Sequence, residues 1–522
     1  MSTTPHEKLG GRQHDADTKI ESNTLEPTTD VSLEALGYQA QLRRNRGLYT
    51  ILFQVLAITA VPFGEGSAIF SAIYGGGQLP YFVGWIVVSA LDQCMAMSLS
   101  ELASRFPTTA GPYYWSYQLA TVRFGEGSRA AEVLSFITGW TWLVGNWTIA
   151  LSVNFGTASF IAGTATIYHP DWSATAWELL LIFYAICLIT FLVCGFGNRI
   201  LPYVDAVASV WNLVTILIVF IALSATAKVG RHDAATGLGG YDKSLSGWDD
   251  FSFFIGLLPA AYTFAAIGMI TVMAEECHEP AVELPKALSL VVPISGVAGL
   301  FFILPICFTL PPLEDIFNAP LGQALPYIFH VVMGSRAGGL ALMFFILGVA
   351  MFCSISITTA ASRTAWAFAR DHAVPLSRVW SKLAFNDTPI PALALTTIVQ
   401  MLLGLINLGS TAAFTAFISV GVIGLAASYG IPILMSVLSA REAVSTAPFR
   451  FPAPVGWFVN IISILWISFQ LVLFSMPTAL PVTLTTMNWA SVVFVGFMVL
   501  SAIYYVLFAR RVYKGPPKSD GL

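Results

Sequence analysis

The chain is 522 residues long, with 56% hydrophobic and only 10% charged residues, and its mean hydropathy is +0.73. A soluble domain carries roughly 25% charged residues, so this composition excludes a water-soluble globular protein and predicts an integral membrane protein. The formal net charge of −4 gives no reason to expect a nucleic-acid partner. The cysteines fall in or beside apolar runs, where a thiol is an ordinary buried residue, so we expect no disulfide framework, metal site or cofactor.

Residues 1–47 are polar and lack the apolar segment of a signal peptide, and we interpret them as a disordered cytoplasmic tail. Beyond them, apolar runs of about 20 residues, the length that crosses a bilayer, recur along the chain. The predicted spans are 48–73, 80–101, 131–163, 175–195, 201–227, 251–275, 286–310, 338–369, 391–408, 411–439, 455–475 and 487–509. They predict an all-α membrane protein with one membrane domain (48–510), composed of a first repeat (48–227), a second repeat (251–439) and two peripheral helices (455–509), before a cytoplasmic C-terminal tail (511–522).

The distribution of Lys and Arg tests this count, because these residues concentrate in cytoplasmic loops. Twelve spans with a cytoplasmic N-terminus leave only Lys228, Arg231, Lys243 and Arg336 of the 25 Lys and Arg residues on the other side. This bias predicts that both termini are cytoplasmic. The ninth and tenth spans are separated by so few residues that eleven or thirteen helices remain open.

The first predicted helix contains strong helix-breaking residues near its middle. Residues 60–67 read AVPFGEGS, with a proline that lacks a hydrogen-bond donor, two glycines and Glu65. We expect the helix to unwind there. An acid in the middle of a membrane is costly and is a candidate for function.

A weaker interruption is predicted in the sixth helix, at 264–268 (FAAIG), with Pro259 upstream. Gly64 and Gly268 lie at similar depths in their helices. Interrupted helices at matching positions of two five-helix halves indicate an inverted-repeat transporter that holds its solute at the midplane. Pro and Gly are also common in ordinary transmembrane helices, so the alternative interpretation is that these residues have no role in transport.

Three stretches resemble the fungal amino acid/choline transporter family, which lies within the amino acid, polyamine and organocation superfamily. Residues 98–115 read SLSELASRFPTTAGPYYW and resemble the family's loop after the second helix. Residues 273–276 (MAEE), followed by Pro280, Pro285 and Lys286, are similar to its signature after the sixth helix. Residues 362–375, which include Ser362-Arg363, 367–371 (AFARD) and Pro375, resemble the end of its eighth.

The resemblance covers about residues 45–510. It implies the LeuT-like fold, a 5+5 inverted repeat with two extra C-terminal helices, and alternating access. It also implies substrates such as amino acids, 4-aminobutyrate, choline or polyamines, and a fungal plasma membrane, with the vacuole as the alternative. Many relatives carry an acid and a histidine near the positions of Gly268 and Val272, and both are absent from this chain.

Glu65 departs from the small residues that this superfamily usually presents to a substrate carboxylate. Because two carboxylates repel each other in a low dielectric, one hypothesis is a substrate with an obligatory positive nitrogen that pairs with Glu65. Aromatic rings would complete such a site by cation–π contact. The candidates are Phe63 and Phe264, then Trp140, Trp142 and Trp147, for which packing is the alternative interpretation. The second hypothesis makes Glu65 the proton carrier that couples transport to a proton gradient.

We predict that the substrate is bound by both interrupted stretches and by two polar residues of the third and eighth helices. These residues are Phe63, Gly64, Glu65, Gly66, Ser67, Phe264, Ala265, Ala266, Ile267, Gly268, Asn154 and Ser356. The predicted coupling or gating residues are Glu65, Asp205, Glu101, Glu275 and Arg363. Packing hydroxyls and structural ion pairs are the alternatives for the residues outside the interruptions.

An enzyme is excluded by the motifs that are missing from the sequence, since there is no metal-spaced histidine pair, nucleophile elbow or phosphate-binding loop. The partners we expect are a small cationic or zwitterionic solute, H+ as the coupling ion, and membrane lipid. We expect the protein to be a monomer. An exporter of a cationic metabolite or alkaloid and a nutrient receptor on a transporter fold remain alternatives, and a channel is disfavoured by the paired interruptions.

Overall fold

The computed structural model describes residues 33–39, 41–42, 44–317, 323–409, 413–483 and 487–519. Twelve helices in this part of the chain are long and apolar enough to cross a membrane. They are α1 (Leu48–Tyr74), α2 (Gln78–Arg105), α3 (Arg129–Ala165), α4 (Ala176–Phe196), α5 (Leu201–Thr226), α6 (Asp249–Glu276), α7 (Pro280–Thr309), α8 (Arg336–Arg370), α9 (Ile390–Leu408), α10 (Thr415–Leu438), α11 (Ala453–Leu473) and α12 (Ala490–Leu507). The prediction of an all-α protein with twelve spanning helices is confirmed.

The helices carry apolar side chains on their exposed faces as well as on their buried faces. On α4, Leu181, Leu188 and Leu192 are exposed, whereas Phe183 and Cys187 are buried against the bundle. Apolar side chains on both faces suit a helix with protein on one side and hydrocarbon on the other. α3 and α6 are almost completely buried, whereas α12 exposes most of its surface, so the first two form the centre of the bundle and α12 its edge.

The helix contacts repeat when each helix is replaced by the one five positions later. The α3–α10 contact corresponds to the contact between α8 and α5. Likewise, α3–α4 corresponds to α8–α9, and α1–α5 corresponds to α6–α10. This correspondence is what two five-helix halves related by a two-fold axis require. The exact limits of the two repeats remain predictions.

The first and last described segments of the chain pack on one end of the bundle, which we call the terminal face. The hydroxyl group of Tyr114 donates to the carbonyl of Leu36 (3.0 Å), and the Gln118 amide donates to the carbonyl of Pro517 (3.0 Å). The described end of the predicted N-terminal tail, 33–39, therefore lies against the bundle. The predicted disorder of residues 1–32 lies outside the described residues.

The interruption of α1 is one residue long and lies earlier than expected. Ala60 has left-handed dihedrals (φ 40°, ψ 55°) between the helical segments Leu48–Thr59 and Val61–Tyr74. The predicted unwinding over 60–67 is therefore wrong for 61–67, which are helical. Pro62 occupies the second position of the new helical segment, where the fixed φ of proline suits a helix start. Because Pro62 has no N–H, the Ile58 carbonyl loses its helical donor and instead accepts from the Cys353 thiol (3.3 Å).

The glycines that follow serve close packing. A Cβ atom at Gly64 would collide with Oγ1 of Thr263 on α6, and one at Gly66 would collide with the side chain of Leu325. Leu325 belongs to a short buried helix, Ala324–Met333, on the face opposite the terminal face. Small residues here let α1 approach α6 and this short helix.

The interruption of α6 lies within the predicted stretch. An α-helical segment, Leu258–Ala265, ends at Ala266, and a 3₁₀ segment, Ile267–Glu276, follows. The Ala265 carbonyl accepts a hydrogen bond from the Tyr429 hydroxyl of α10 (3.1 Å). A Cβ atom at Gly268 would collide with the Tyr429 ring, so α10 braces this interruption.

Candidate functional site

The two interruptions meet a single face of α3 at the centre of the bundle. The rings of Phe63 and Phe160 pack edge to face with centroids 5.7 Å apart, and the hydroxyls of Ser152 and Tyr262 lie 2.9 Å apart. Residues 152 and 160 are eight positions apart, an offset of about 80° around the helix axis, so both fall within one broad face of α3. This region, which we call the central site, also receives the Cys353 contact of α8 and the Tyr429 contact of α10.

The backbone at the central site carries partial charge. The segments Leu48–Thr59 and Leu258–Ala265 both end there, and a helix C-terminus exposes carbonyl groups that favour a cation. The segment Val61–Tyr74 begins there, but its amides at Phe63 and Gly64 both donate to the Ala60 carbonyl (2.8 and 3.0 Å). These two amides are therefore used within their own segment, whereas a carbonyl oxygen that already accepts one hydrogen bond, as at Ile58 and Ala265, keeps a second lone pair that suits an ammonium group.

Glu65 lies on another face of α1. Two helical positions amount to a rotation of about 200°, so Glu65 points away from the α3 face that Phe63 contacts. Its carboxylate is fully buried, accepts a long hydrogen bond from Thr263 (3.4 Å), and lies within electrostatic range of Tyr81 on α2 and Cys307 on α7. Its second oxygen and the Tyr81 hydroxyl have no hydrogen-bond partner among the described residues. Direct pairing of Glu65 with a solute in the central site is not what this geometry favours.

The aromatic residues predicted to enclose a cation do not converge. Phe264 stacks on Trp85 of α2 (centroids 4.9 Å apart), on a different side of the bundle from Phe63. Trp142 packs on Tyr429, and Trp140 packs on Phe136, Phe368 and Tyr504. The packing interpretation of these two tryptophans fits their contacts.

Asn154 and Ser356 are turned away from the interruptions. The Asn154 amide donates to Oε1 of Gln400 on α9 (2.7 Å). Trp147 lies seven residues earlier, on the same face of α3, and so also points away. Ser356 donates to Oδ1 of Asp205 (2.7 Å). Helix phase thus directs Asn154 to α9 and Ser356 to α5, and their part in binding a solute stays a prediction.

Asp205 belongs to a buried ionic cluster near the terminal face. Arg46, just before α1, contacts Asp205 (3.0 Å) and Glu276 (3.1 Å), and Glu276 also contacts Arg363 (3.1 Å). We call Arg46, Asp205, Glu276 and Arg363 the gate cluster. Burial by itself lowers the pKa of Arg46, but the carboxylates of Glu276 and Asp205 raise it above its usual value. The cluster joins the start of α1 to α5, α6 and α8, and so closes the terminal face.

A second cluster holds the N-terminal segment. Arg370 makes a two-point ion pair with Glu275 (2.9 and 3.1 Å) and lies 4.0 Å from the ring centre of Tyr38. Asp371 accepts hydrogen bonds from Tyr38 (2.8 Å) and Tyr113 (2.7 Å). Burial raises the pKa of Asp371, and Arg370 and the two hydroxyls oppose that rise. We call Tyr38, Tyr113, Glu275, Arg370 and Asp371 the latch cluster.

A model of the family described as amino acid permease matches residues 52–499 of this chain. The chain belongs to the amino acid permease family. It is 30% identical over 505 residues to the amino-acid permease BAT1 of Arabidopsis thaliana, covering 93% of this chain and 96% of that protein. It is 26% identical to a choline transporter of Saccharomyces cerevisiae (99% and 91% covered) and 28% identical to the polyamine transporter TPO5 of the same yeast (86% and 73% covered).

These matches confirm the family resemblance carried by the three motifs, within the amino acid, polyamine and organocation superfamily. They identify a multi-pass membrane permease and not an enzyme.

Apart from Glu65, the permease separates the predicted gating residues into three groups. Glu101 pairs with Arg441 (2.9 Å) and accepts from the Phe451 amide (2.9 Å), so it anchors the loop before α11. Glu275 lies in the latch cluster, and Asp205 and Arg363 lie in the gate cluster. Glu101 therefore contacts the α10–α11 loop, apart from the gate and latch clusters, and the gating role of these residues stays a prediction.

Sequence analysis missed Arg46 as a partner of this gate, and it missed Tyr38 and Asp371. Arg46 stands directly before an apolar helix, which is a signal for an interfacial cation, but its acidic partners lie more than 150 residues away in sequence. No local pattern indicates such pairs.

One cavity opens at each of two opposite faces of the permease. At the terminal face, a cavity of about 280 Å³ is lined by Arg44, Asn198 and Glu276. At the opposite face, a cavity of about 360 Å³ is lined by Tyr327, His330 and Arg336. The gate cluster and the helix Ala324–Met333 thus stand between the central site and these two mouths.

Proposed function

We propose that this permease is a secondary active transporter of amino acids or small amines that works by alternating access. The observation that carries the proposal is the meeting of two interrupted helices, at Ala60 and Ala266, at one central site beneath a closed ionic gate. Relatives named as amino-acid, choline and polyamine transporters support this class of solute.

The solute in this proposal carries a positive nitrogen, as in a zwitterionic amino acid, 4-aminobutyrate or choline. Its nitrogen binds near the carbonyl ends of Leu48–Thr59 and Leu258–Ala265, which favour a cation. The rings of Phe63 and Tyr262 flank the same region. This arrangement needs no acidic side chain in contact with the solute.

Glu65 then has the role of proton carrier. It is fully buried, one of its oxygens has no partner among the described residues, and it contacts α6 through Thr263. A carboxyl group at this helix contact can couple proton binding to movement of α1 against α6.

Uptake by purified protein in proteoliposomes tests both parts of this proposal. With an inward proton gradient, the wild type should accumulate one or more members of a panel of amino acids, 4-aminobutyrate, choline and a polyamine. Glu65→Gln should keep solute exchange at zero gradient and lose gradient-driven accumulation. Glu178→Gln, at an exposed helix start, is the matched control and should accumulate normally.

Three results count against the proposal. No uptake of any panel member by the wild type contradicts the transport class. Loss of exchange for cations alone in Glu65→Gln would favour direct pairing with the solute. Unchanged accumulation by Glu65→Gln would remove Glu65 from both roles.

We also propose that the terminal face is cytoplasmic, in a plasma-membrane protein, because Lys and Arg residues concentrate on that side of the predicted topology. Single cysteines at Lys518 and Lys243, in a cysteine-free background, test this. An impermeant thiol reagent applied to intact cells should label the cysteine at position 243 and spare the one at 518.

A further inference from the structure

A cavity of about 620 Å³ lies between the α10–α11 loop and the first turn of α11. Its walls include Arg441, Ser445, Arg450, Phe451 and Trp457. It lies beside the inner end of α2 and apart from the central site. None of the residues predicted to bind solute lines it, whereas Glu101, one of the predicted gating residues, contacts its wall through Arg441.

The loop that forms this cavity is held in place by α2. Arg105 donates to the Ala443 carbonyl (2.8 Å), and the Phe449 amide donates to the hydroxyl of Ser104 (2.9 Å). The Phe451 amide donates to Glu101. Because three residues of one helix fix the loop, the cavity is preformed.

Arg441 supplies a buried cation with unused hydrogen-bonding capacity. Its side chain is only 7% exposed; Nη2 contacts Glu101 (2.9 Å), whereas Nη1 has no partner among the described residues. Its guanidinium lies so close over α11 that a Cβ atom at Gly456 would collide with it. An unpaired N–H of a buried guanidinium is costly, and an anionic oxygen would satisfy it.

Other features of the cavity also favour an anion. Arg450 is exposed and has no ion pair in the described part of the chain. In the first turn of α11, Pro454 has no N–H, but the amides of Ala453 and Val455 have no partner within the helix. Glu442 lies on the wall as the opposing charge. Trp457 is 36% exposed at the start of the second turn of α11, as is common for tryptophan at the boundary between hydrocarbon and headgroups.

We propose that this cavity binds the phosphate-bearing headgroup of an anionic phospholipid, held by Arg441, Arg450 and the first turn of α11. The position at the start of a spanning helix favours a lipid over a soluble anion, because Phe451 and Trp457 offer apolar surface beside the two arginines. A bound headgroup joins α11 to the end of α2 through Arg441 and Glu101.

Thermal unfolding of the full-length protein in detergent tests this site, with dioleoylphosphatidylglycerol, dioleoylphosphatidylcholine and inorganic phosphate as the three added probes. The anionic lipid should raise the Tm of the wild type in a saturable way, and the other two probes should not. Arg450→Gln should raise the half-saturating lipid concentration about fivefold, the effect expected for one basic residue at a membrane surface. Arg511→Gln, an exposed arginine elsewhere on the terminal face, should leave it unchanged.

Arg450 is exposed, so its variant is expected to fold, and a normal Tm without lipid checks this. Arg441→Lys keeps the charge but offers fewer donors, and should also weaken the lipid effect. Equal stabilisation by the two lipids, or an equal loss in Arg511→Gln, would overturn the site. Saturable stabilisation by inorganic phosphate alone would overturn the lipid assignment in favour of a soluble anion.

Discussion

Single residues at the interruptions carry two different kinds of constraint. Ala60 changes the direction of the chain with left-handed dihedrals, whereas Gly64 and Gly66 remain helical and make room for neighbours. The first constraint concerns the backbone and the second concerns volume, so substitutions at these positions should fail for different reasons.

Gly64→Ala should impair transport because its methyl group would collide with the Thr263 hydroxyl of α6. Overpacking of this kind costs about 1–3 kcal/mol. The double variant Gly64→Ala/Thr263→Ala should recover much of the lost stability and uptake, since it removes the colliding oxygen. Tm and initial uptake rates of the two single variants and the double variant measure this coupling. Additive losses would show that the two residues do not meet in the functional protein.

Glu276 is the residue on which the gate cluster depends, because it serves both Arg46 and Arg363. Removing one partner of a buried ion pair costs about 3–5 kcal/mol, so Glu276→Gln should lower the Tm markedly. It should also favour an arrangement open at the terminal face. Glu442→Gln, an exposed acid at the same face, is the control and should change the Tm little. A Tm equal to that of the wild type in Glu276→Gln would contradict the gate.

At the scale of elements, the spans were predictable from sequence and the directions of their side chains were not. Lipid requires about 20 apolar residues per helix, and this requirement is visible in any window. Which way Glu65 points depends on where α1 restarts after Ala60, since one residue shifts the helix phase by about 100°. The partners of Asn154 and Ser356, on α9 and α5, likewise depend on how the helices pack. Arg46 could not be paired with Glu276 because their contact depends on the tertiary fold.

The N-terminal segment 33–39 is an element that the latch cluster should hold against the bundle. Tyr38 holds it through Asp371 and through the face of its ring under Arg370. Tyr38→Phe should lose only the hydrogen bond, and Tyr38→Ala should lose both contacts. Hydrogen–deuterium exchange at 33–39 should therefore rise in the order wild type, Tyr38→Phe, Tyr38→Ala. Equal exchange in all three proteins would show that the latch cluster does not hold this segment.

At the scale of the whole molecule, alternating access predicts that the central site becomes reachable from the terminal face when the gate opens. A cysteine in place of Ser152, in a cysteine-free background, reports on this site beside Tyr262. Adding Glu276→Gln should increase its labelling rate by a small thiol reagent from the terminal face, and solute should protect it. Labelling that ignores both changes would contradict a solute path through this region.

The permease closes its two faces with different kinds of interaction. The terminal face is held by buried charges, whereas the short helix Ala324–Met333 meets α1 through apolar contact between Leu325 and Gly66. Separating charges and exposing apolar surface respond differently to conditions: the second carries a positive heat-capacity change, and the first responds to ionic strength. The rate of opening at the terminal face should therefore depend more on salt concentration. The rate of opening at the opposite face should depend more on temperature.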